Sequence, residues 1–168
     1  SKKLPPSHWA SDDSVSGGRM IAEMCHFVDL SNFIISSKIS STKSEMLGEA
    51  HLDKRMEDTF SSIIKYADGS LANLVYSSEG NSNFPKEIIE VHCQGEIFEI
   101  KDFNELVIYN KSGINRYKTK TQDKGAKAQI KIYSDFLKGK SDIPIDFKEL
   151  IFASETTFNL LDSSKNNE

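Results

Sequence analysis

Three short turn signals between β-prone runs constrain this chain more than any other feature. Asp68-Gly69 separates residues 59–66 from 70–78, Gln94-Gly95 separates 88–93 from 96–100, and Lys111-Ser112-Gly113 separates 106–110 from 114–118. Asp-Gly between two such runs signals a hairpin, because a type I′ turn needs positive φ at its central residues. Strands joined by successive hairpins run antiparallel. A further strand is expected at 45–51.

Helical patterns flank this block. Residues 19–35 are apolar nearly all round, which predicts a buried helix. Gly17-Gly18 ends the loop before it and Ser16 is a candidate cap. The Ser-rich stretch 36–44 reads as a loop. Residues 126–137 place Ile130, Tyr133, Phe136 and Leu137 at helical spacing, with Gly139 as the stop. A last helix is expected from 147 to about 161, with Asp146 as N-cap and Glu149 three residues on. Helix, many strands, two helices is the order of an α+β domain over residues 1–168. The expected form is a mainly antiparallel open sheet with helices packed on one face, the other face being available for oligomer contacts.

Charge and composition narrow the function. A net charge of −4 argues against generic nucleic-acid binding, which needs clustered Lys and Arg. Lys118, Lys120, Lys124 and Lys127 read as a solvated face. No segment reaches the ~18 apolar residues of a membrane span. Cys25 and Cys93 read as small buried hydrophobes, and the default location is cytoplasmic.

The first helix carries the chemistry. Its apolar surface is broken by Arg19, Glu23 and His26, at i, i+4 and i+7, with Asp29 continuing toward the same side. Such groups on a buried helix are costly unless paired or used. Histidine as a residue type changes charge near neutral pH, which suits it to proton exchange with a substrate hydroxyl, and a carboxylate can orient the ring. The bland alternative is an Arg19–Glu23 ion pair beside a satisfied core histidine. His26 and Glu23 could also share a metal, but no second His or Cys stands at ligand spacing.

The run from Gly17 to Leu30, GGRMIAEMCHFVDL, resembles the active-site helix of the glucose–fructose oxidoreductase/inositol dehydrogenase family. That family's second domain opens with a glycine pair, an acid and His-x-x-Asp-Leu. Pro5-Pro6-Ser7-His8-Trp9, Tyr66-Ala67-Asp68-Gly69-Ser70, Phe84-Pro85-Lys86-Glu87, Asp123-Lys124-Gly125 and Pro144-Ile145-Asp146-Phe147 are similar to further family segments, in order. The resemblance implies the C-terminal half of a two-domain enzyme, with an open sheet for homodimer or homotetramer contacts and helices facing the enzyme's own Rossmann domain. It implies hydride transfer between NAD or NADP and a sugar, nucleotide sugar or polyol, with His26 as proton donor or acceptor and Glu23 beside it. One departure matters: the family's acid stands four residues before the His. Here that position is Ala22, and Glu23 is only three before.

No Gly-x-Gly-x-x-Gly fingerprint follows a strand in this chain, so the cofactor is expected to sit mainly on another half, and this chain alone is expected to be inactive. Arg19, Asp29, Lys86 and His8 are the candidate substrate contacts. Lys86 could meet an anionic substrate group, and His8 and Trp9 could offer a sugar platform. His51 and His92 read as ordinary sheet residues, and Asp123 as a cap or dipole partner of the helix that follows. The rival reading is a non-catalytic dimerisation or ligand-sensing module, in which Arg19, Glu23 and His26 form a closed network.

Overall fold

A computed structural model describes residues 8–9, 13–47 and 59–165. The chain is α+β and divides into two compact units, Ser1–Glu79 with Ile145–Glu168, and Gly80–Pro144.

The first unit holds helix α1 (Asp13–Ser16), a π-helical turn (Met20–Met24), α2 (Cys25–Ile35), strands β1 (Ile39–Met46), β2 (Phe60–Tyr66) and β3 (Leu71–Tyr76), and the long α4 (Phe147–Lys165). The strands form an antiparallel sheet in the order β1-β2-β3. Along β2, Phe60, Ser62, Ile64 and Tyr66 are buried while Ser61, Ile63 and Lys65 are exposed. This is the two-residue alternation of a half-buried strand. The buried face meets Met20, Met24 and Val28 from the π turn and α2, and Ala153 and Leu160 from α4. In this unit the helices do cover one face of the sheet. Burying an aliphatic side chain such as Val28 or Leu160 contributes about 1.5–3 kcal/mol, so this face supplies most of the unit's stability.

The second unit holds β4 (Ile88–Cys93), β5 (Glu96–Lys101), β6 (Glu105–Asn110), β7 (Gly113–Lys118) and α3 (Ala126–Leu137). Its sheet is antiparallel in the order β4-β5-β6-β7. The expectation of one sheet is corrected to two. α3 also departs from the expectation of packed helices: no side chain on it is buried, and Ile130 and Leu137 are largely exposed.

The turns explain the hairpins. Gln94 and Gly95 both have positive φ, 51° and 83°, as a type I′ turn requires. The Asp68-Gly69 turn is of another kind. Only Gly69 has positive φ, and its N–H donates to the Tyr66 carbonyl while Tyr66 N–H donates to the Ser70 carbonyl. This is a three-residue loop, a type I turn closed by a left-handed glycine.

Further expectations give way. The Ser-rich stretch 36–44 is mostly strand, because pairing with β2 outweighs its polar composition. Ser40 Oγ donates to the Lys65 carbonyl at 3.0 Å, and the Ser44 and Ser62 hydroxyls bond to each other at 2.7 Å inside the sheet. The strand expected at 45–51 is the end of this one, and His51 lies outside the described residues. Cys93 is exposed on the terminal residue of β4, where the strand's pleat and its edge position leave it uncovered, and Cys25 is half-buried; both are free. Asp123 does not cap α3: its carboxylate accepts the Gly125 N–H at 2.8 Å, one turn too early. Asp146 does cap α4, accepting the Lys148 N–H at 2.9 Å.

Candidate functional site

Gly17 and Gly18, at φ 74° and 85°, turn the chain from α1 into the π turn, and Ser16 Oγ accepts the Gly18 N–H at 3.1 Å. A Cβ at Gly17 would stand 3.2 Å from Ile21 Cβ, in a conformation that favours glycine. The helix expected over residues 19–35 is therefore interrupted. An α-helix advances its side chains so that residues four apart drift by ~40° around the axis. Met20 and Met24, four apart, still share a face, and both reach the core, 2% and 1% exposed.

The π turn also breaks the expected stripe. Arg19 is buried at 3% exposure. Its Nε lies 3.6 Å from Glu23 Oε1, and its guanidinium carbon is 5.3 Å from the centre of the Tyr76 ring. Tyr76 Oη donates to Glu23 Oε2 at 2.7 Å, and its ring stacks on Phe60 with centroids 5.1 Å apart. Arg19, Glu23 and Tyr76 thus form one cluster between the π turn and β3. Tyr76 escaped the sequence reading, since nothing in its strand context distinguishes a core tyrosine from one that holds a carboxylate.

His26 stands apart from this cluster. It is the second residue of α2, exposed, and makes no hydrogen bond or ion pair with a described residue. Asp29 is half-buried one turn on and has no bond to His26. α2 is fixed from its other side, where Val28 and Ser31 are buried. Tyr66 Oη on β2 lies 3.0 Å from Ser31 Oγ and donates to Asn32 Oδ1 at 2.9 Å. Burial pushes the Tyr66 hydroxyl above its ordinary pKa, against the opposing hydrogen bond with Ser31. The helix expected to be buried all round is half exposed, with Phe33 at 83%.

The remaining candidates do not join His26. His8 is half-buried, its ring tilted 31° against that of the exposed Trp9, with centroids 5.7 Å apart. Lys86 belongs to the second unit, where Asp102 Oδ1 accepts its backbone N–H at 2.7 Å and that of Glu87 at 3.1 Å. Its ammonium is exposed and has no partner among the described residues. Nearby, Lys124 pairs with Glu87 at 2.5 Å and sits over the Phe103 ring. Asp102 and Phe103 hold φ of 48° and 53°, unusual for non-glycine residues. Among the described residues no three His, Cys, Asp or Glu side chains group so as to hold a metal ion, and no helix is long and apolar enough to cross a membrane.

No family model and no curated protein matches the chain. Solved structures do. UDP-N-acetylglucosamine 3-dehydrogenase from Acidithiobacillus ferrooxidans matches with a TM-score of 0.76 at 15% identity, over 97% of this chain and 50% of that one. Aldose-aldose oxidoreductase from Caulobacter crescentus matches with a TM-score of 0.76 at 12% identity, over 99% and 51%. The fold matches about half of each of these two chains. A third match, an oxidoreductase from Agrobacterium radiobacter solved with NAD+, L-tartaric acid and magnesium, has a TM-score of 0.69 at 11% identity, over 87% and 46%. The chain spans about half the length of these structures. At these identities the likeness is one of fold.

Proposed function

We propose that this chain is the C-terminal, substrate-side half of an NAD(P)-dependent oxidoreductase that transfers a hydride between nicotinamide and a sugar, nucleotide sugar or polyol. The observation that carries the reading is His26: an exposed imidazole with no hydrogen bond or ion pair among the described residues, on a helix whose opposite side is fixed in the core, in a fold shared with sugar oxidoreductases. NAD+ in a fold relative supports the cofactor class. No glycine-rich strand–turn–helix among the described residues fits a dinucleotide, so the cofactor is held by a Rossmann half in this reading. This chain's part is proton exchange. Neutral His26 takes the proton of a substrate hydroxyl as the carbonyl forms, or returns it in the reverse direction. Asp29 and His8, in the same unit as His26, orient the sugar. Arg19 serves as an anchor for Glu23 rather than as a substrate contact.

The rival, a non-catalytic module, draws on the closed Arg19–Glu23–Tyr76 cluster. It also requires His26 within that cluster, and His26 stands outside. A panel of sugars, nucleotide sugars and inositols, offered to the full-length protein with NAD+ or NADP+, tests the proposal through NAD(P)H absorbance. Turnover of at least one member is expected. No turnover of any member, with cofactor binding absent as well, would favour the module.

A further inference from the structure

The π turn carries one anchor, at Glu23, and α2 carries another, at Ser31 and Asn32. Downstream, Tyr66 on β2 ties α2 at Ser31 and Asn32. Upstream, Tyr76 on β3 holds the Glu23 carboxylate at 2.7 Å, and Arg19 lies against both. β2 and β3 are fixed neighbours, paired Phe60 to Tyr76 and Lys65 to Leu71, so the two hydroxyls are set by the sheet. An i→i+5 turn takes up one residue more than an α turn. Relaxing Met20–Met24 into α geometry would shift Glu23 relative to α2 and strain its bond to Tyr76. His26 lies between them, two residues after the π turn ends and five before Ser31.

We propose that Tyr76 is a positioning residue that acts through Glu23: its hydroxyl holds the π turn in register and thereby sets the direction in which His26 leaves α2. Glu23 then works as the grip for Tyr76 and not as a proton-transfer group. This rests on the reading of His26 as the acid–base residue, but its structural part stands without it.

Three variants of the full-length protein separate the roles. Tyr76→Phe removes the hydroxyl and keeps the stack on Phe60 and the face toward Arg19. Glu23→Gln keeps an oxygen for the tyrosine to donate to. Tyr66→Phe releases the other anchor. Misaligning a catalytic group costs about tenfold or more in kcat; Tyr76→Phe and Tyr66→Phe should each lose about that much, with KM changed less than about twofold. Glu23→Gln removes the charge that Arg19 faces but keeps the acceptor for Tyr76, so it should lose less than Tyr76→Phe. The His26 imidazole resonances, assigned by comparison with His26→Ala, should move in both tyrosine variants and hold in Glu23→Gln. If His26→Ala loses activity while Tyr76→Phe keeps wild-type kcat and His26 resonances, the inference fails and the acid–base reading survives. A Glu23→Gln variant as dead as His26→Ala, with His26 resonances unmoved, would also overturn it, making Glu23 a proton-transfer group. If His26→Ala is fully active the acid–base reading fails, and the resonances alone decide whether the two tyrosines set His26.

Discussion

Single residues govern how this protein responds to its conditions. Tyr66 is the clearest case. Burial raises its folded-state pKa above the ordinary 10.0, so the folded state holds the phenolic proton more tightly than the unfolded one. Its contribution is fully present below pH 10.0 and is lost as pH rises through the folded value. Thermal melting followed from pH 8 upward should show a fall that begins near pH 10, and Tyr66→Phe should weaken it. Cysteine reactivity offers a second check. Cys93 is exposed and Cys25 half-buried, so a thiol reagent should label Cys93 first in the folded protein, and both at similar rates after denaturation. The buried Ser44–Ser62 hydroxyl pair gives a third. Ser44→Ala leaves the fully buried Ser62 hydroxyl without that partner and should cost about 1–3 kcal/mol in denaturant melts.

Elements were legible wherever a local signal forced them. Gly95 and Gly113 mark turns where positive φ is required, and β4 to β7 follow within a residue of the expected bounds. α3 and the start of α4 also follow from their spacing and from Asp146 as cap. β1 was hidden, because its serines carry no β-propensity signal and are held by hydroxyl bonds and pairing with β2. The π turn was hidden as well. An i, i+4, i+7 pattern assumes α geometry throughout, so Arg19, Glu23 and His26 looked like one stripe. The buried Met20 and Met24 and the hydroxyl of Tyr76, 53 residues downstream, decide the actual turn. His26 as a candidate was legible from its residue type and surroundings; its separation from Glu23 was not. Asp146→Ala should cost about 1 kcal/mol through loss of the α4 cap, measured by thermal melting.

At the scale of the whole molecule, the sheet of the second unit bears on assembly. By register, one of its faces carries Ile89, Val91, Phe98, Ile100, Leu106 and Ile108. The opposite face mixes Glu90, Glu99, Lys101, Glu105 and Arg116 with fewer apolar residues. A contiguous apolar face of this kind suits a partner, which fits the proposed homodimer or homotetramer. Sedimentation should find the full-length protein oligomeric, with Ile108→Lys shifting it toward monomer. The account's central claim nevertheless rests on one imidazole. The measurement that tests it most directly is kcat of the full-length protein and of its His26→Ala variant, on the best substrate found, by NAD(P)H absorbance. A loss of about a hundredfold or more is expected, the range in which a general acid–base residue acts. Full activity in His26→Ala would contradict it and return His26 to the status of an ordinary surface residue.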